Sequence, residues 1–401
     1  MNKGREVARG KTKILFESPN QPNVLVLTQT DAITAQDGLR RHEIPGKGRL
    51  AARTNAHVFR LLNLCGVPTH FVSGGEDDDD NETLVRRCTM LPLEVVVRGV
   101  AAGSLLKRNP GLQKGSIIFP RLVEFFLKDD ANHDPLISPE EVVRRGIATP
   151  TEIGAMTELA RMAYDILAHA WRRRDTILVD LKIEFGRLVE KENEGALVLA
   201  DVVDNDSWRI WPQGREDLML DKQVYRNLTE VSAADLERIR SNYEQVADLT
   251  GTFPQMRSGM IALIADGPEN VAQLDPIAHA FSQFGLPTIR RVASARLMPG
   301  YAMQLVQQLD VTFPRLVYVP VAGRDLGLAA MIEASTSSPV VSWSGGSPDA
   351  TALASAKAFA LDDTVMFGRV LLVQANARSG VLHADSQLAA PENAPQPIPV
   401  G

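Results

Sequence analysis

The middle of the chain reads TILVDLKIEFG over residues 176–186 and ALVLADVVDNDSWRIWP over residues 196–212, with the polar segment EKENEG at residues 190–195 between them. Both long segments are rich in β-branched and aliphatic residues, which favours β-strands. The polar segment ends in glycine, which is typical of a turn. The three pieces therefore predict an antiparallel hairpin whose turn is centred near Glu192 and Asn193.

The first predicted strand has an apolar side and a charged side, because side chains on a β-strand alternate between its two faces. The apolar side faces a core and carries Val179, Leu181 and Ile183. The charged side carries Asp180, Lys182 and Glu184. We therefore expect any chemistry of the hairpin on this second side.

The predicted turn places Glu184 opposite Asp201 on the second strand. Two carboxylates that face each other across a strand pair destabilise it, unless a cation lies between them. Oxygen ligands from few protein groups suit Mg²⁺ that is bound to the phosphates of a nucleotide, and Lys182 on the same face could bind a phosphate or a carboxylate. A solvated hairpin face with alternating charges explains the same pattern, so the pattern alone leaves both interpretations open.

The composition bounds the class of protein. The chain has 401 residues, of which 44% are hydrophobic and 23% charged, which is typical of a soluble globular protein with two or three domains. Its net charge of -6 argues against broad nucleic-acid binding. Its two cysteines, Cys65 and Cys88, provide neither a disulfide framework nor a CxxC metal motif.

No targeting or membrane segment is recognisable in the sequence. The amino terminus, MNKGREVARGKTK, lacks the apolar segment of a secretory signal. No apolar run reaches the roughly 18 residues that a bilayer span needs. We therefore expect a cytoplasmic protein without nucleic-acid or membrane partners.

A phosphate-binding motif is suggested near the amino terminus, where residues 7–16 read VARGKTKILF. The letters GKT resemble the end of a P-loop, but five residues separate Gly4 from Gly10, where that motif requires four. Lys11 and Lys13 remain candidate phosphate contacts because they flank the strand-like ILF. Exposed lysines beside an edge strand explain the segment equally well.

A second candidate anion site follows the predicted strand LPLEVVVR at residues 91–98. The next segment, GVAAGSLLKRNPG at residues 99–111, has small residues that let the backbone approach a ligand closely. Arg98 and Ser104 add a guanidinium fork and a hydroxyl, which suit a phosphate or a carboxylate. The segment FFLKDDANHDP at residues 125–135 contains Asp and His but matches no zinc spacing, so a hydrogen-bonded loop is its simplest interpretation.

One long loop and three helices complete the first half. Residues 30–48 are polar and rich in glycine, and ordered loops of this length tend to be functional. A helix from Leu50 is predicted to end at Gly66. A second helix begins after the capping box at Thr149–Glu152, and a third begins after Ser232.

The turn-rich segment GTFPQMRS at residues 251–258 marks a change of rhythm. Beyond it, short apolar runs alternate with helix-compatible stretches, which is typical of a parallel sheet covered by helices on both faces. The predicted strands are Ile261–Ala265, Thr288–Val292, Leu316–Val321, Pro339–Ser342 and Val370–Ala375. Because ligands on such sheets lie beyond the carboxyl ends of the strands, the candidate loops are Asp266–Asn270, Ala293–Pro299 and Ala322–Gly327. We predict domains at residues 1–255 and 256–383, followed by a disordered tail at residues 384–401.

The motifs of the first half, from residue 7 to about residue 250, resemble those of SAICAR synthetases, the ligases of purine biosynthesis. In order, these motifs are RGKTKILF, DAITAQDGLRR, VVVRGVAAGSLLKRNPG, FFLKDDANHDP, LVDLKIEFG, LADVVDNDSWRIWP and DKQVYR. The segments LKDDANHDP and DVVDNDSWRIWP resemble the corresponding sequences of the animal bifunctional proteins, in which the ligase is fused to AIR carboxylase. Residues 259–380 resemble that second domain through VPVAGRDLGLAAM. The resemblance implies an α+β, ATP-grasp-like SAICAR synthetase domain, followed by an α/β three-layer domain with a parallel sheet.

The resemblance also implies a reaction and its residues. ATP would phosphorylate the carboxylate of CAIR, the amine of L-aspartate would attack the acyl phosphate, and the products would be SAICAR, ADP and phosphate. The implied Mg²⁺ ligands are Glu184 and Asp201, and the implied ATP contacts are Lys11, Lys13 and Lys182. The implied substrate-binding residues are Asp37, Arg98, Ser104, Lys128, Asp130 and Arg209. Catalytic roles are implied for Lys182, Arg209, Lys222 and Arg226.

The second half departs from the carboxylase pattern. Its first loop reads ADGPEN at residues 265–270 instead of a GSxSD-type loop. The family's Ser-Ala-His motif reads Ser294-Ala295-Arg296, and its Gly-Asn-Thr segment reads Ala334-Ser335-Thr336. The residues that remain are Ala322, Gly323, Arg324 and Gly327. An arginine stays protonated and cannot exchange a proton as histidine does.

We therefore predict that the second domain is an inactive carboxylase remnant that serves as the scaffold of a homo-oligomer. Its remnant site would comprise Ser294, Arg296, Ala322, Gly323 and Arg324. Two alternatives remain: a bifunctional enzyme that also carboxylates AIR, and a non-catalytic nucleotide-binding assembly protein. The intact set of Lys182, Glu184 and Asp201 argues against the second alternative.

Overall fold

A computed structural model describes residues 1–35, 38–77, 80–322 and 327–389 of the chain. The chain forms two compact units, of which the first comprises Met1–Arg257 and Asp362–Val365, and the second comprises Ser258–Leu361 and the chain from Met366 onward. Among the helices within the described ranges, none combines the length and the apolar character that crossing a bilayer requires.

Within the described residues, the first unit is built mainly from two antiparallel sheets and three larger helices. It begins with β1 (Glu6–Arg9), β2 (Lys13–Glu17), β3 (Val24–Gln29), β4 (Ala32–Ala35), β5 (Arg40–Glu43), α1 (Lys47–Cys65), β6 (Phe71–Gly74), β7 (Glu82–Arg86) and β8 (Cys88–Met90). It continues with β9 (Leu93–Val100), α2 (Ser104–Arg108), β10 (Ile117–Leu127), β11 (Leu136–Ile137), α3 (Pro139–Arg144), α4 (Pro150–Arg172), β12 (Thr176–Leu188), β13 (Leu197–Ala200), β14 (Trp208–Pro212), α5 (Gln223–Asn227) and α6 (Ala233–Thr250).

The strands of this unit pair in three groups. The first sheet has the order β1-β2-β3-β7-β6, and the larger sheet has the order β11-β10-β9-β12-β13. The strands β8 and β14 also pair with β12, and β4 and β5 form a separate hairpin. The strand β12 is thus the hub of the larger sheet.

Both faces of β12 are largely buried. On the predicted apolar side, Val179, Leu181 and Ile183 are at most 1% exposed, which confirms that prediction. On the charged side, Asp180 and Glu184 are buried as well. Because buried carboxylates require partners, this side is not a solvated hairpin face.

The hairpin of β12 and β13 differs in register by one residue from the prediction. Glu184 lies opposite Ala200, not Asp201. A short 3-10 turn at Lys191–Asn193 joins the strands, so the turn is centred on a single residue and not between two. Asp201 follows β13 with a left-handed φ of 67°. Despite the register shift, both carboxylates line one cavity.

Helix ends follow the predicted capping signals. The helix α1 ends at Gly66, which has a left-handed φ of 88°. Capping boxes start α4, through Thr149 and Glu152, and α6, through Ser232 and Asp235. Glycine adopts a positive φ without a Cβ penalty, and side-chain oxygens satisfy the first backbone N–H groups, so the local sequence fixes these ends.

The second unit is built around a parallel sheet. Its elements are β15 (Met260–Ala265), α7 (Leu274–Ser282), β16 (Thr288–Val292), α8 (Pro299–Thr312), β17 (Leu316–Val321), α9 (Gly327–Ser335), α10 (Pro348–Ala360) and most of α11 (Thr364–Ala389). The sheet has the order β16-β15-β17, and both pairings are parallel, as predicted. On β15, Ile261 and Leu263 pack with residues of α7 and α10, whereas Ala262 and Ile264 pack with residues of α8 and α9.

Two of the strands predicted for this unit are wrong. Val370–Ala375 lies inside α11, because a short apolar run has no periodicity that separates a strand from a buried helical segment. Pro339–Ser342 forms only an isolated bridge to β17. The chain from residue 384, predicted to be disordered, continues α11 as far as Ala389, and residues 390–401 lie outside the described ranges.

Candidate active site

A cavity of about 320 Å³ lies in the first unit beside the charged side of β12. Its lining comes from the turn between β1 and β2, from β12, from the segment after β13 and from the region of α5. The predicted site residues that line it are Lys11, Lys13, Lys128, Lys182, Glu184, Asp201, Lys222 and Arg226. The fold therefore gathers these ionic groups from distant parts of the sequence, and we call this the ionic cavity.

Two lysines enclose Glu184. The Nζ atom of Lys128 donates to Glu184 Oε2 at 2.8 Å, and the Nζ atom of Lys182 lies 3.8 Å from Oε1. Lys182 also donates a short hydrogen bond to Glu94 on β9, a partner that the sequence did not reveal. Burial alone would lower the pKa of Lys182, but the charges of Glu94 and Glu184 outweigh burial and raise it. The amine therefore stays charged and suits an anionic ligand.

Asp201 forms an ion pair with Lys13 of β2. Burial alone would raise the pKa of Asp201. The charge and hydrogen bond of Lys13, together with the charges of Lys182 and Lys128, outweigh burial and lower the pKa to about 2. The pKa of Glu184 is raised, first by burial and then by the negative charge of Asp201. The two carboxylates thus repel each other while nearby lysines balance part of their charge.

This pair of carboxylates fits a shared divalent cation in its chemistry. Carboxylate oxygens are the ligands that Mg²⁺ prefers, and a cation would relieve the repulsion that raises the pKa of Glu184. Within the described residues, no group of three or more His, Cys, Asp or Glu side chains could hold a metal ion. A cation between Glu184 and Asp201 would therefore take its other ligands from water and from a bound phosphate, as Mg²⁺ commonly does.

A larger cavity of about 880 Å³ lies beside α2 and β14, and we call it the large cavity. Ser104 and Arg209 line it. Arg98 is buried, does not itself line the cavity, and donates to Ser104 Oγ at 3.2 Å. The guanidinium of Arg98, which the sequence predicted to bind a ligand, is therefore hydrogen-bonded to protein groups. One of these bonds holds the hydroxyl of Ser104 in place.

Asp180 accepts hydrogen bonds from two guanidinium groups beside the large cavity. Its Oδ2 atom accepts hydrogen bonds from Arg209 and from Arg98 Nη1 at 3.3 Å. Sequence alternation placed Asp180 on the charged side of β12 but assigned it no role in the site. The alternation of side chains along a strand predicts which face a residue lies on, but not which residue it contacts. Both hydrogen-bond partners of Asp180 lie on other strands.

The guanidinium group of Arg209 occupies the space into which a side chain at residue 103 would project. Gly103 has a left-handed φ of 58°, and a Cβ atom at this position would lie 2.6 Å from Arg209 Nη2. Glycine is required here both for its conformation and for this close approach. The sequence predicted that small residues in this segment let the backbone approach a ligand, whereas the close group at Gly103 is the side chain of Arg209.

Arg226 lines both cavities, so the cavities adjoin at α5. Lys222 immediately precedes α5 and donates to Asp206 Oδ2 at 2.7 Å. The hydroxyl of Tyr243 donates to the other oxygen of Asp206. Burial lowers the pKa of Lys222. Sequence reasoning missed Asp206 and Tyr243, although the acidic motif LADVVDNDSW contained a signal for Asp206.

Some predicted site residues are not placed in either cavity. Those that lie outside the described residues are Asp37, Gly323 and Arg324. Asp130 lies in a 3-10 turn, but its side chain is outside the described part of the chain. In the second unit, Ser294 Oγ accepts from the backbone N–H of Leu297 at 3.3 Å, Arg296 is exposed, and Ala322 is buried.

Residues 6–242 match the family model of SAICAR synthetase. The chain is 51% identical over 253 residues to the phosphoribosylaminoimidazole-succinocarboxamide synthase of Roseiflexus castenholzii. This aligned region covers 63% of this chain and 99% of that protein. It is 36% identical over 344 residues to the bifunctional phosphoribosylaminoimidazole carboxylase/phosphoribosylaminoimidazole succinocarboxamide synthetase of Drosophila melanogaster, covering 84% of this chain and 79% of that protein. It is 34% identical over 414 residues to the probable multifunctional protein ADE2 of Caenorhabditis elegans, covering 95% and 96%.

Solved structures resemble the first unit. The phosphoribosylaminoimidazole-succinocarboxamide synthase from Ehrlichia chaffeensis superposes with a TM-score of 0.55 at 28% identity, over 63% of this chain and all of that one (100%). A SAICAR synthetase in complex with ADP superposes with a TM-score of 0.54 at 33% identity, over 63% and 100%. The mixed α/β fold, the ionic cavity and these similarities define an enzyme of the ligase class. The chain belongs to the SAICAR synthetase family, and its similarity to the Drosophila and C. elegans proteins extends into the second unit.

Proposed function

We propose that the first domain, residues 1–255, joins CAIR and L-aspartate at the expense of ATP and releases SAICAR, ADP and phosphate. One observation carries this proposal: Arg226 lines both the ionic cavity and the large cavity. A nucleotide in one cavity and a carboxylate substrate in the other would meet at this side chain. Phosphoryl transfer needs this arrangement, because it depends on positioning and charge neutralisation more than on covalent chemistry.

The ionic cavity is the proposed ATP site. Lys11, Lys13 and Lys182 supply positive charge for the phosphates. Glu184 and Asp201 would hold Mg²⁺, which when bound neutralises charge on the phosphates. The domain is proposed to be ATP-grasp-like, with its substrates taken from the cytoplasm.

The large cavity is the proposed CAIR site. Ser104 and Arg209 line it, and Asp180 orients Arg209. A guanidinium and a hydroxyl suit the anionic groups of an imidazole nucleotide. We assign further substrate contacts to Asp37, Lys128 and Asp130 by family resemblance. Arg98 acts indirectly, because its hydrogen bond fixes the hydroxyl of Ser104.

The proposed reaction has two steps. A carboxylate oxygen of CAIR attacks the γ-phosphorus of ATP, and the bond to ADP breaks to leave an acyl phosphate. The amine of aspartate then attacks the acyl carbon, phosphate leaves, and the nitrogen loses a proton. Lys182, Lys222 and Arg226 hold positive charge beside the cavity in which negative charge develops.

Measurement of ADP release tests this proposal. The full chain would be mixed with ATP, Mg²⁺, CAIR and L-aspartate, and each component would be left out in turn. We expect sustained ADP release only when all four are present. Steady ADP release without CAIR, or none with the complete mixture, would contradict the assignment and would favour an ATPase or a non-catalytic nucleotide-binding protein.

We propose further that residues 256–383 form an α/β three-layer, AIR carboxylase-like domain that has lost catalysis and assembles the homo-oligomer. The parallel sheet supports the fold, and the similarity to the Drosophila bifunctional protein, which covers 84% of this chain, supports the ancestry. The substitution at Arg296 supports the loss of activity, because this position requires proton exchange in the family motif. Conversion of AIR and CO₂ to CAIR at an enzyme-like rate would favour the bifunctional alternative.

Light scattering of the full chain is expected to give a multiple of the monomer mass, and a monomer would contradict the scaffold role.

A further inference from the structure

The helix α5 carries site residues but is too short to be stable alone. It has five residues, Gln223–Asn227, with Lys222 at its start and Arg226 in its last turn. A helix this short does not recover the cost of its nucleation, and its last carbonyl groups have no partners within the helix. The positions of Lys222 and Arg226 therefore depend on what anchors α5 from outside.

Arg40 of β5 anchors the carboxyl end of α5. Its guanidinium donates to the carbonyl of Leu228. It also donates to the carbonyl of Tyr225 at 2.8 Å and to that of Arg226 at 3.3 Å. One planar fork thus satisfies three carbonyl groups where the partial negative charge of a helix lies.

A second set of contacts fixes Arg40 against the same segment. The guanidinium carbon of Arg40 lies 4.7 Å from the centre of the Tyr225 ring, within the range of a cation–π contact. Tyr225 is fully buried, and its hydroxyl lies 2.7 Å from Nδ1 of His42. The side chains of Arg40 and His42 both come from β5, so the β4–β5 hairpin holds α5 at two points.

We propose that Arg40 is a positioning residue that holds Arg226 at the junction of the two cavities and Lys222 in the ionic cavity. This inference rests on the proposed ligase function and adds a residue that acts through others. Arg40 contacts backbone groups and the Tyr225 ring, so it orients the segment without touching a substrate. The guanidinium of Arg40 thus joins the β4–β5 hairpin to α5.

The test compares Arg40→Met with Arg41→Met. Arg41 is the matched control because it lies next on the same strand and pairs with Glu43 in an exposed ion pair. Misplacement of Arg226 by about 1 Å is expected to lower kcat/KM for CAIR on the order of 100-fold in Arg40→Met. Arg41→Met should stay within about twofold of the wild-type protein, as surface substitutions usually do. Arg40→Lys keeps a charge but not the planar fork, and we expect an intermediate loss.

A second measurement does not depend on catalysis. Amide hydrogen exchange over residues 222–228 reports local opening of α5. We expect exchange about tenfold faster in Arg40→Met, because hydrogen bonds from a charged group are lost, and unchanged exchange in Arg41→Met. Slower or unchanged exchange in Arg40→Met would refute the anchoring even if the wild-type protein proved not to be a ligase. If Arg40→Met does not fold, the exchange and kinetics of Arg40→Lys decide the question by the same criteria. Wild-type kinetics in a variant with fast exchange would refute the positioning role alone.

Discussion

Lys128, just after β10, and Glu184 on β12 are hydrogen-bonded at 2.8 Å. Glu184 is the more deeply buried of the two, and Lys182 approaches its other oxygen. Asp201 shares the same cavity and is paired with Lys13. The site is thus an ionic array in which each carboxylate faces at least one lysine. Such an array binds a polyanion with little reorganisation, because its charges are already fixed.

We predict that Glu184→Gln loses kcat on the order of 100-fold or more while its melting temperature stays close to that of the wild-type protein. Glutamine has nearly the same shape and can still accept from Lys128, but it lacks the charge that a divalent cation requires. Steady-state ADP release and thermal unfolding measure the two effects. The control is Glu192→Gln on the exposed turn before β13. Retention of full turnover by Glu184→Gln would remove the proposed Mg²⁺ ligand.

We predict that Gly103→Ala raises the KM for CAIR about tenfold or more, because the new methyl group would collide with Arg209 and the positive φ would become strained. The KM for ATP should change little, because Gly103 lines only the large cavity of the two. Gly111→Ala is the control, since a Cβ atom at that position has open space. Equal effects of the two substitutions would show that the contact with Arg209 is unimportant.

We predict an acid-sensitive contribution to stability from Glu152. Its carboxylate accepts from Arg187 and from the backbone N–H of Thr149. The hydrogen bond from Arg187, first of all, lowers the pKa of Glu152 to about 2. A lowered pKa in the folded state means that the stabilisation is complete above the ordinary carboxylate pKa and is lost as the pH falls toward 2.

Chemical denaturation of the wild-type protein and of Glu152→Gln between pH 6 and about pH 2 measures this contribution. The wild-type free energy of unfolding should fall by about 1 kcal/mol more than that of the variant, a modest value because solvent screens the pair. Glu192→Gln should follow the wild-type protein. Parallel pH dependence of Glu152→Gln and the wild-type protein would contradict the assignment.

We predict that Arg296→His does not create carboxylase activity. The histidine would restore a group that exchanges protons, but the loop at residues 265–270 would still lack the family's serine-rich pattern. Formation of CAIR from AIR and CO₂ should stay at the background rate in both proteins. A clear gain of activity in Arg296→His would show that the altered loop still binds the substrate.

Local signals in the sequence predicted the helix ends and the buried side of β12. Gly66 and Thr149 act within a few residues of themselves, so their effects can be read from sequence. The register of β12 and β13 was missed by one residue because it depends on the geometry of the turn. Val370–Ala375 was assigned to a strand because a short apolar run has no periodicity that distinguishes a strand from a helix.

The chemical types of the site residues could be predicted, but their partners could not. Lys182, Glu184 and Asp201 follow from the motif and from alternation. The link from Asp180 to Arg209 joins two strands, and the contact of Tyr243 with Asp206 joins α6 to a loop. Such contacts depend on how distant elements pack, which no local pattern encodes.

We propose that a substrate carboxylate is activated as an acyl phosphate at the junction of the two cavities. CAIR labelled with ¹⁸O in its carboxylate tests this claim most directly, with the mass of the released phosphate as the readout. We predict that one labelled oxygen passes from CAIR to phosphate in each turnover, only when ATP and aspartate are both present. Release of unlabelled phosphate during SAICAR formation would contradict an acyl phosphate intermediate.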